Sequence, residues 1–372
     1  MTTWFTLDDC RLADFRALVE QPADPAEYPH ATSFENNVPI YENVTDTPAS
    51  AAEVTAALLD GPGIVVFRGA FAPDVVDRAT GVFLDLIAEQ RAAGVAGGDH
   101  FAKPGANDRV WGALDKFAVR DPDAFAAYYD NDVLALVARA WLGTGYQVTS
   151  QVNVVNPGGQ AQVAHRDYHL GFMSPEQAMR YPALVHRLSP ALTLQGAVAH
   201  VDMPVETGPT CYLPHSQKYA PGYLAFHRPE FTAYFGEHHV QLPLRKGDAV
   251  FFNPALVHGA GTNRSAGVRR MANLLQISSA FGRAMETVDR TAMCLALYRT
   301  LRNFGGAVDN VLAACAEGYA FPTNLHRDQP IGGLAPQTQA DLVRQALAEK
   351  WDESDFADAI HAQQQRRQAS GT

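Results

Sequence analysis

Cysteine is scarce in this chain. The four thiols, Cys10, Cys211, Cys294 and Cys315, form no CxxC and no metal-type spacing. That excludes a disulfide scaffold or a cysteine-based zinc framework and suits thiols kept reduced. Long apolar runs are missing too, so no segment reads as a membrane span. Basic charge is the minority sign, 29 Lys and Arg against 40 Asp and Glu, for a net charge of -11. An acidic chain is poorly suited to nucleic acid or to an anionic membrane surface, although a locally basic pocket is compatible with it. The opening residues, MTTWFTLDDCRLADF, carry acids where a secretory leader has basic residues before an apolar stretch. The closing QQQRRQASGT has no lipidation or peroxisomal signal. A cytoplasmic location is the expectation. Neither an internal repeat nor a low-complexity linker is visible.

What is present is ordinary globular composition, 47% hydrophobic and 19% charged over 372 residues. Such a chain can bury a large core without covalent staples. Residues 1–50 are rich in Pro, Asp, Glu and Asn and read as an arm packed on the main domain. Residues 51–283 open with helical patterns. One is PDVVDRATGVFLDLIAEQRA, and DPDAFAAYYDNDVLALVARAWLG reads as another single amphipathic helix, from an Asp start to a stop at Gly143. From about 145 to 280 the period shifts toward two, in YQVTSQVNVV, ALTLQGAVAHV, DAVFF and RRMANLLQISSA. Residues 284–372 return to helix. Helices flanking a strand-rich middle predict an α+β fold with a β-barrel or sandwich at its centre. The arm and the C-terminal helices are where a homodimer contact is expected.

Three His-x-Asp tripeptides occur: His165-Arg166-Asp167, His200-Val201-Asp202 and His326-Arg327-Asp328. On a strand, residues i and i+2 point the same way and can offer two ligands to one ion. The copy at 326 lies between prolines in FPTNLHRDQPIGG, with no strand beside it. The copy at 200 ends a strand, followed at once by Met-Pro. Only the copy at 165 has distant partners: His258 at the end of an apolar strand, and Arg269 eleven residues further on. Two imidazoles and one carboxylate on one face of an octahedral Fe(II) leave three positions, enough for a bidentate 2-oxo acid and dioxygen. The far carboxylate of 2-oxoglutarate then suits an arginine, which is rigid, always charged and bidentate.

With these residues in view, the sequence resembles the phytanoyl-CoA dioxygenase family of Fe(II)/2-oxoglutarate oxygenases. The resemblance is carried by HRD at 165–167, GPTCYLPHSQK at 208–218, KGDAVFFNPALVHGAGTNRS at 246–265 and RRMANL at 269–274. It covers about residues 60–282. It implies a double-stranded β-helix, a jelly-roll or cupin-like core, which agrees with the strand-rich middle. It implies His165, Asp167 and His258 as iron ligands and Arg269 as the partner of the 2-oxoglutarate C5 carboxylate, in preference to Arg270, on the other face of a regular strand, and to Arg264 in the turn. Asn153 and Gln151, on the strand before the tripeptide, are the implied polar contacts to the cosubstrate. An intact carboxylate at 167 favours hydroxylation of a C–H bond over halogenation, with succinate and CO₂ released. Two departures touch secondary contacts only: Pro214-His215-Ser216-Gln217 replaces a Pro-Gly-Ser-His segment, and Ala260 stands where a Ser or Thr often follows the distal histidine.

Tyr168 and His169 follow the tripeptide and are candidate substrate contacts, or packing beside the barrel mouth. Lys103 and Arg109, in the Pro/Gly loop DHFAKPGANDRVW, are candidate partners for an anionic group. No catalytic residue beyond the metal site is expected. Two other readings fit part of the pattern. One is a metal-binding β-barrel without oxygenase activity, in which Arg269 would have no purpose. The other is a zinc hydrolase, for which the sequence offers no positioned base.

Overall fold

Ile64, Val65, Val66 and Phe67 are apolar at every position because both faces of their strand are covered. Val65 and Phe67 pack under helices, while Ile64 and Val66 face a second apolar cluster inside the barrel. The computed structural model describes residues 2–94 and 106–369. Its strands are β1 (Ser33–Glu35), β2 (Val38–Glu42), β3 (Ile64–Arg68), β4 (Asn107–Val110), β5 (Gln147–Val155), β6 (Thr193–Ala199), β7 (Cys211–Tyr212), β8 (Val240–Gln241), β9 (Ala249–Phe252), β10 (His258–Gly259) and β11 (Arg270–Ser278). They form an eight-stranded sheet in the order β1-β2-β3-β9-β6-β11-β5-β4 and a three-stranded sheet in the order β10-β7-β8. The two sheets enclose one cavity. This is the expected α+β double-stranded β-helix.

Long antiparallel ladders set the register that matters. Strand β11 runs between β5 and β6, with Ala272 opposite both Asn153 and Ala199. Its even-numbered side chains Arg270, Ala272, Leu274 and Gln276 line the cavity. The odd-numbered Met271, Leu275 and Ile277 join the core beneath the helices. Strand β9 divides in the same way. Ala249 and Phe251 face the helices, and Val250 and Phe252 face inward. Gly196 on β6 is required by that packing, because a Cβ there would lie 2.7 Å from a Phe251 ring carbon.

The helices cover the outer face of the large sheet. Residues 121–143, which the pattern predicts as one helix, form two, Pro122–Tyr129 and Asp132–Leu142. The break is at Asp130-Asn131, where Asn131 accepts the Leu134 N–H at 2.8 Å and caps the second helix. The first fifty residues contribute β1 and β2, and β2 pairs in parallel with β3. Near the other end, helices Arg290–Leu301 and Glu353–Arg367 meet through Tyr298 and Phe356, stacked 3.9 Å apart. Both residues lie in the same apolar cluster as the outer face of the sheet, so the C-terminal helices share the core. Among the described residues, no helix is long and apolar enough to cross a membrane.

Candidate active site

His165 does not lie on a regular strand. A single antiparallel bridge ties it to His258 of β10, with His165 N–H to His258 O at 2.8 Å and His258 N–H to His165 O at 3.0 Å. That bridge joins the segment after β5 to the small sheet and brings the two imidazoles to 4.5 Å between ring centroids. Asp167 follows, its N–H held by Pro254 O at 3.1 Å. Its two carboxylate oxygens stand 3.8 Å from His165 Nε2 and 3.6 Å from His258 Nε2. Among the described residues, this is the group of three His, Cys, Asp or Glu side chains whose ligand atoms converge, all within 4.8 Å.

The donor set fits a divalent transition metal. His165 Nδ1 lies 2.7 Å from Val163 O and His258 Nδ1 lies 2.8 Å from Leu256 O. Each carbonyl accepts an Nδ1–H, which leaves the Nε2 lone pair of both rings for a metal. Burial and the neighbouring imidazole lower the His165 pKa, against a smaller upward pull from Asp167. Burial also opposes the Asp167 charge. The neighbouring His258 and His165 imidazoles and the Gln195 amide outweigh it, and the carboxyl pKa falls to about 2. Gln195 on β6 donates its Nε2–H to Asp167 Oδ2 at 2.5 Å.

Arg166 points the other way. Its guanidinium is buried against the Tyr223 ring, 5.4 Å from the centroid, and donates to Ser216 O. Burial lowers its pKa to about 10. Gly222 makes room for it, since a Cβ there would stand 1.9 Å from the Arg166 Cζ. The residue between the two ligands thus fixes the segment from behind.

The cavity holds about 600 Å³ and opens over the triad. Asn153 and Gln151, the expected polar contacts to the cosubstrate, both line it. The arginine expectation needs correcting. Arg269 precedes β11, is largely exposed, and binds Asn156 Oδ1 at 3.1 Å and Asp108 Oδ2 at 3.2 Å. Arg270 is the one that faces the cavity. It is 7% exposed, and its Nη1 donates to Thr207 O and Gly261 O, both at 3.1 Å. Burial pushes its pKa down to about 10. The reason is strand parity, which puts neighbouring residues on opposite faces.

The remaining candidates divide. Arg109 on β4 lines the cavity, buried, with its Nη2 donating to Gln151 Oε1 and its guanidinium 4.5 Å over the Trp111 ring. Tyr168 and His169 are not brought to the cavity. Tyr168 is buried at a φ of 33° with its ring against His169 and Phe172. His169 is held by Ser189 Oγ, which takes its backbone N–H at 2.7 Å and sits 3.2 Å from its Nδ1. Phe172 lines the cavity instead. Lys103 lies outside the described residues. From the sequence, Arg270 is set aside in favour of Arg269, and Gln195 and Gln276 are not singled out.

The other two His-x-Asp copies have structural partners. His200 is buried between Thr80 Oγ1 and the Tyr128 hydroxyl, 2.7 and 3.1 Å away. Asp328 takes the Thr323 hydroxyl at 2.8 Å and pairs with Arg366 and Arg367.

Two imidazoles and a carboxylate, presented together inside a double-stranded β-helix, define the class as a non-haem Fe(II)- and 2-oxoglutarate-dependent enzyme. The profile of phytanoyl-CoA dioxygenase (PhyH) matches residues 59–271, and the chain belongs to that family. Dioxygenase trt7 of Aspergillus terreus is 26% identical over 226 residues, 60% of this chain and 72% of that protein. Among solved structures, SnoN, a non-haem α-ketoglutarate-dependent epimerase from nogalamycin biosynthesis, is 21% identical with a TM-score of 0.42, covering 63% of this chain and 84% of its own. HygX from Streptomyces hygroscopicus, with nickel and 2-oxoglutarate bound, is 15% identical with a TM-score of 0.39, covering 61% and 87%.

Proposed function

We propose that this enzyme hydroxylates an unactivated C–H bond of a small organic substrate, coupled to conversion of 2-oxoglutarate to succinate and CO₂. The observation that carries the reading is one cavity lined both by the His165, Asp167 and His258 cluster and by a buried arginine, Arg270. Bound Fe(II), with 2-oxoglutarate and dioxygen, supplies the oxidising chemistry. The chain supplies its placement. Val163 and Leu256 carbonyls hold the imidazoles in the tautomer that presents Nε2. Gln195 fixes the Asp167 carboxylate. Arg270 is the group suited to the C5 carboxylate of 2-oxoglutarate, because a guanidinium grips a carboxylate through two parallel N–H donors. Asn153 and Gln151 are the polar side chains on the same sheet face suited to further contacts. Leu242, Leu244, Val250 and Phe252 form apolar wall that keeps water from the site.

The test compares two neighbouring arginines. Anaerobic Fe(II)-loaded protein is titrated with 2-oxoglutarate while a visible charge-transfer band is followed. Wild type and Arg269→Ala develop the band at similar concentrations. Arg270→Ala needs roughly 30- to 1000-fold more, from the loss of about 2–4 kcal/mol at a buried charge pair. No band in iron-loaded wild type would sink the oxygenase reading. A large shift in Arg269→Ala alone would return the role to that residue.

A further inference from the structure

Four neighbouring strands of the large sheet contribute to a row of long polar side chains in the cavity: Arg109 from β4, Gln151 from β5, Gln276 from β11 and Gln195 from β6. They are joined in register. Arg109 stands opposite Asn153 and donates to Gln151 Oε1. Gln151 lies opposite Leu274, one same-face step from Gln276, and Gln276 lies directly opposite Gln195. Gln195 ends the row at Asp167. The row therefore leads from a guanidinium on an edge strand to a metal ligand.

Two of its atoms are in need of donors. Gln195 and Gln276 are 3% and 8% exposed, and the Oε1 of each is buried without a hydrogen-bond partner among the described residues. A buried acceptor left unmade costs about 1–3 kcal/mol, so such atoms on a cavity wall are suited to a ligand's O–H or N–H. Arg109 is held in place by Gln151 and by the face of Trp111. Glu286 also approaches this corner, accepting the Gly112 N–H at 2.7 Å, and burial raises its pKa against a downward pull from that bond, Gln151 and Arg109. The rest of the lining here is apolar, with Trp111, Phe172, Leu274 and Met285. Met285 and Phe172 are also exposed to solvent, which gives the entrance an apolar rim.

We propose that Arg109 binds an anionic group of the substrate, and that Gln276 and Gln195 accept hydrogen bonds from a hydroxyl or amine on the same molecule. The substrate class is then a small acid of mostly apolar body, carrying a hydrogen-bond donor between its anionic end and the carbon presented to the metal. This rests on the oxygenase reading above, with Arg270 engaged by 2-oxoglutarate. Arg109 acts as a specificity residue, separated from β11 by one strand.

Octanoate, methyl octanoate and the 2-, 3- and 4-hydroxyoctanoates serve as probes. Each protein is first titrated anaerobically with 2-oxoglutarate, and the band reports folding, iron and cosubstrate before any probe is added. A missing band in wild type indicts the oxygenase reading itself. With the band formed, probe binding is measured by calorimetry. Octanoate is expected to bind wild type at least about tenfold more tightly than its methyl ester. That advantage disappears in Arg109→Gln and partly returns in Arg109→Lys. At least one hydroxyoctanoate binds more than threefold more tightly than octanoate, and Gln276→Leu removes that gain. The proposal is overturned if the ester binds as well as the acid, if no probe binds, or if Arg109→Gln keeps the preference. It is also overturned if octanoate bleaches the band by displacing 2-oxoglutarate. If no hydroxy acid gains, the donor contact to Gln276 falls.

Discussion

His165-Arg166-Asp167 and His326-Arg327-Asp328 share three letters and almost nothing else. In the first, both ligands come from a segment clamped by a bridge to His258, by Pro254 O and by an arginine buried behind it. Their ligand atoms converge with that of His258, all within 4.8 Å of one another. In the second, His326 is exposed, and Asp328 is already engaged by Thr323, Arg366 and Arg367. Among the described residues, no two further His, Cys, Asp or Glu side chains converge with that carboxylate to hold a metal. The third copy is different again, with a buried imidazole whose two nitrogens are both in hydrogen bonds. Ligand capacity thus depends on which donor atoms converge and on what else has claimed them, and the tripeptide is silent about both.

The contrast breaks most sharply at the distal ligand. His258→Ala removes one of three donors and leaves Asp167 and His165 facing space. Iron affinity is expected to fall by more than about 100-fold, beyond the loss usual for partners that merely orient a ligand. Succinate formation should disappear with it. His326→Ala should leave both iron affinity and succinate formation at wild-type levels. Equal losses in the two variants, measured by iron titration, would show that the copies had been told apart wrongly.

The triad was legible because its parts are chemically unusual and far apart in sequence. A His-x-Asp, a strand-end histidine and an arginine beyond it seldom coincide by accident. The strands β3, β5, β6, β9 and β11 were legible from their pattern, whereas β1, β2 and β4 lie in segments that read as arm and loop. The expectation at Arg269 missed the cavity-facing arginine by one residue of parity, and the cue was present in the same stretch. Met271, Leu275 and Ile277 are the large apolar odd positions, and they pack beneath the helices. The even positions therefore face the barrel, and Arg270 is even. The bend at Asp130-Asn131 was hidden because the apolar spacing continues across it, while the Asn131 cap is a local event. Gln195 and Gln276 were not legible, since isolated glutamines in strands carry no motif. Only the sheet register brings them opposite each other.

The buried copy sharpens the comparison through pH. Asn273 Nδ2–H donates to the Tyr128 oxygen, and the Tyr128 O–H is then free to donate to His200 Nε2. The Thr80 hydroxyl donates to Val76 O and so accepts from His200 Nδ1–H. The chain is complete only for a neutral ring, and burial lowers the His200 pKa to about 3. The unfolded chain takes up this proton as pH falls through about 6.5, and the folded chain does not until near 3. Folding stability is therefore lost as pH drops through that window, by about 2 kcal/mol at pH 5 relative to pH 7.5. Urea unfolding of metal-free His200→Gln should show a flatter dependence over the same range, with a lower plateau at pH 7.5. An unchanged slope would mean that another group carries the acid sensitivity.

The smallest effect belongs to the second HRD. Asp328 joins its loop to the helix Glu353–Arg367 through Arg366 Nε at 3.6 Å and Arg367 Nε at 3.9 Å. Both separations are long for an ion pair, and Arg366 is well exposed. Pairs of this kind are worth at most about 1 kcal/mol. The shorter contact, from Thr323, survives in Asp328→Asn because the amide oxygen still accepts. This variant should lose less than about 1 kcal/mol of global stability. Its amide exchange should quicken in the last turn of that helix, with no change in the 2-oxoglutarate band. The order of the outcomes matters more than the size of this one. If Asp328→Asn disturbed the band while leaving the helix alone, the loop would have to communicate with the cavity. None of the contacts made by Asp328 reaches it, because they run to Thr323, to Asn324 through the backbone, and to the C-terminal helix.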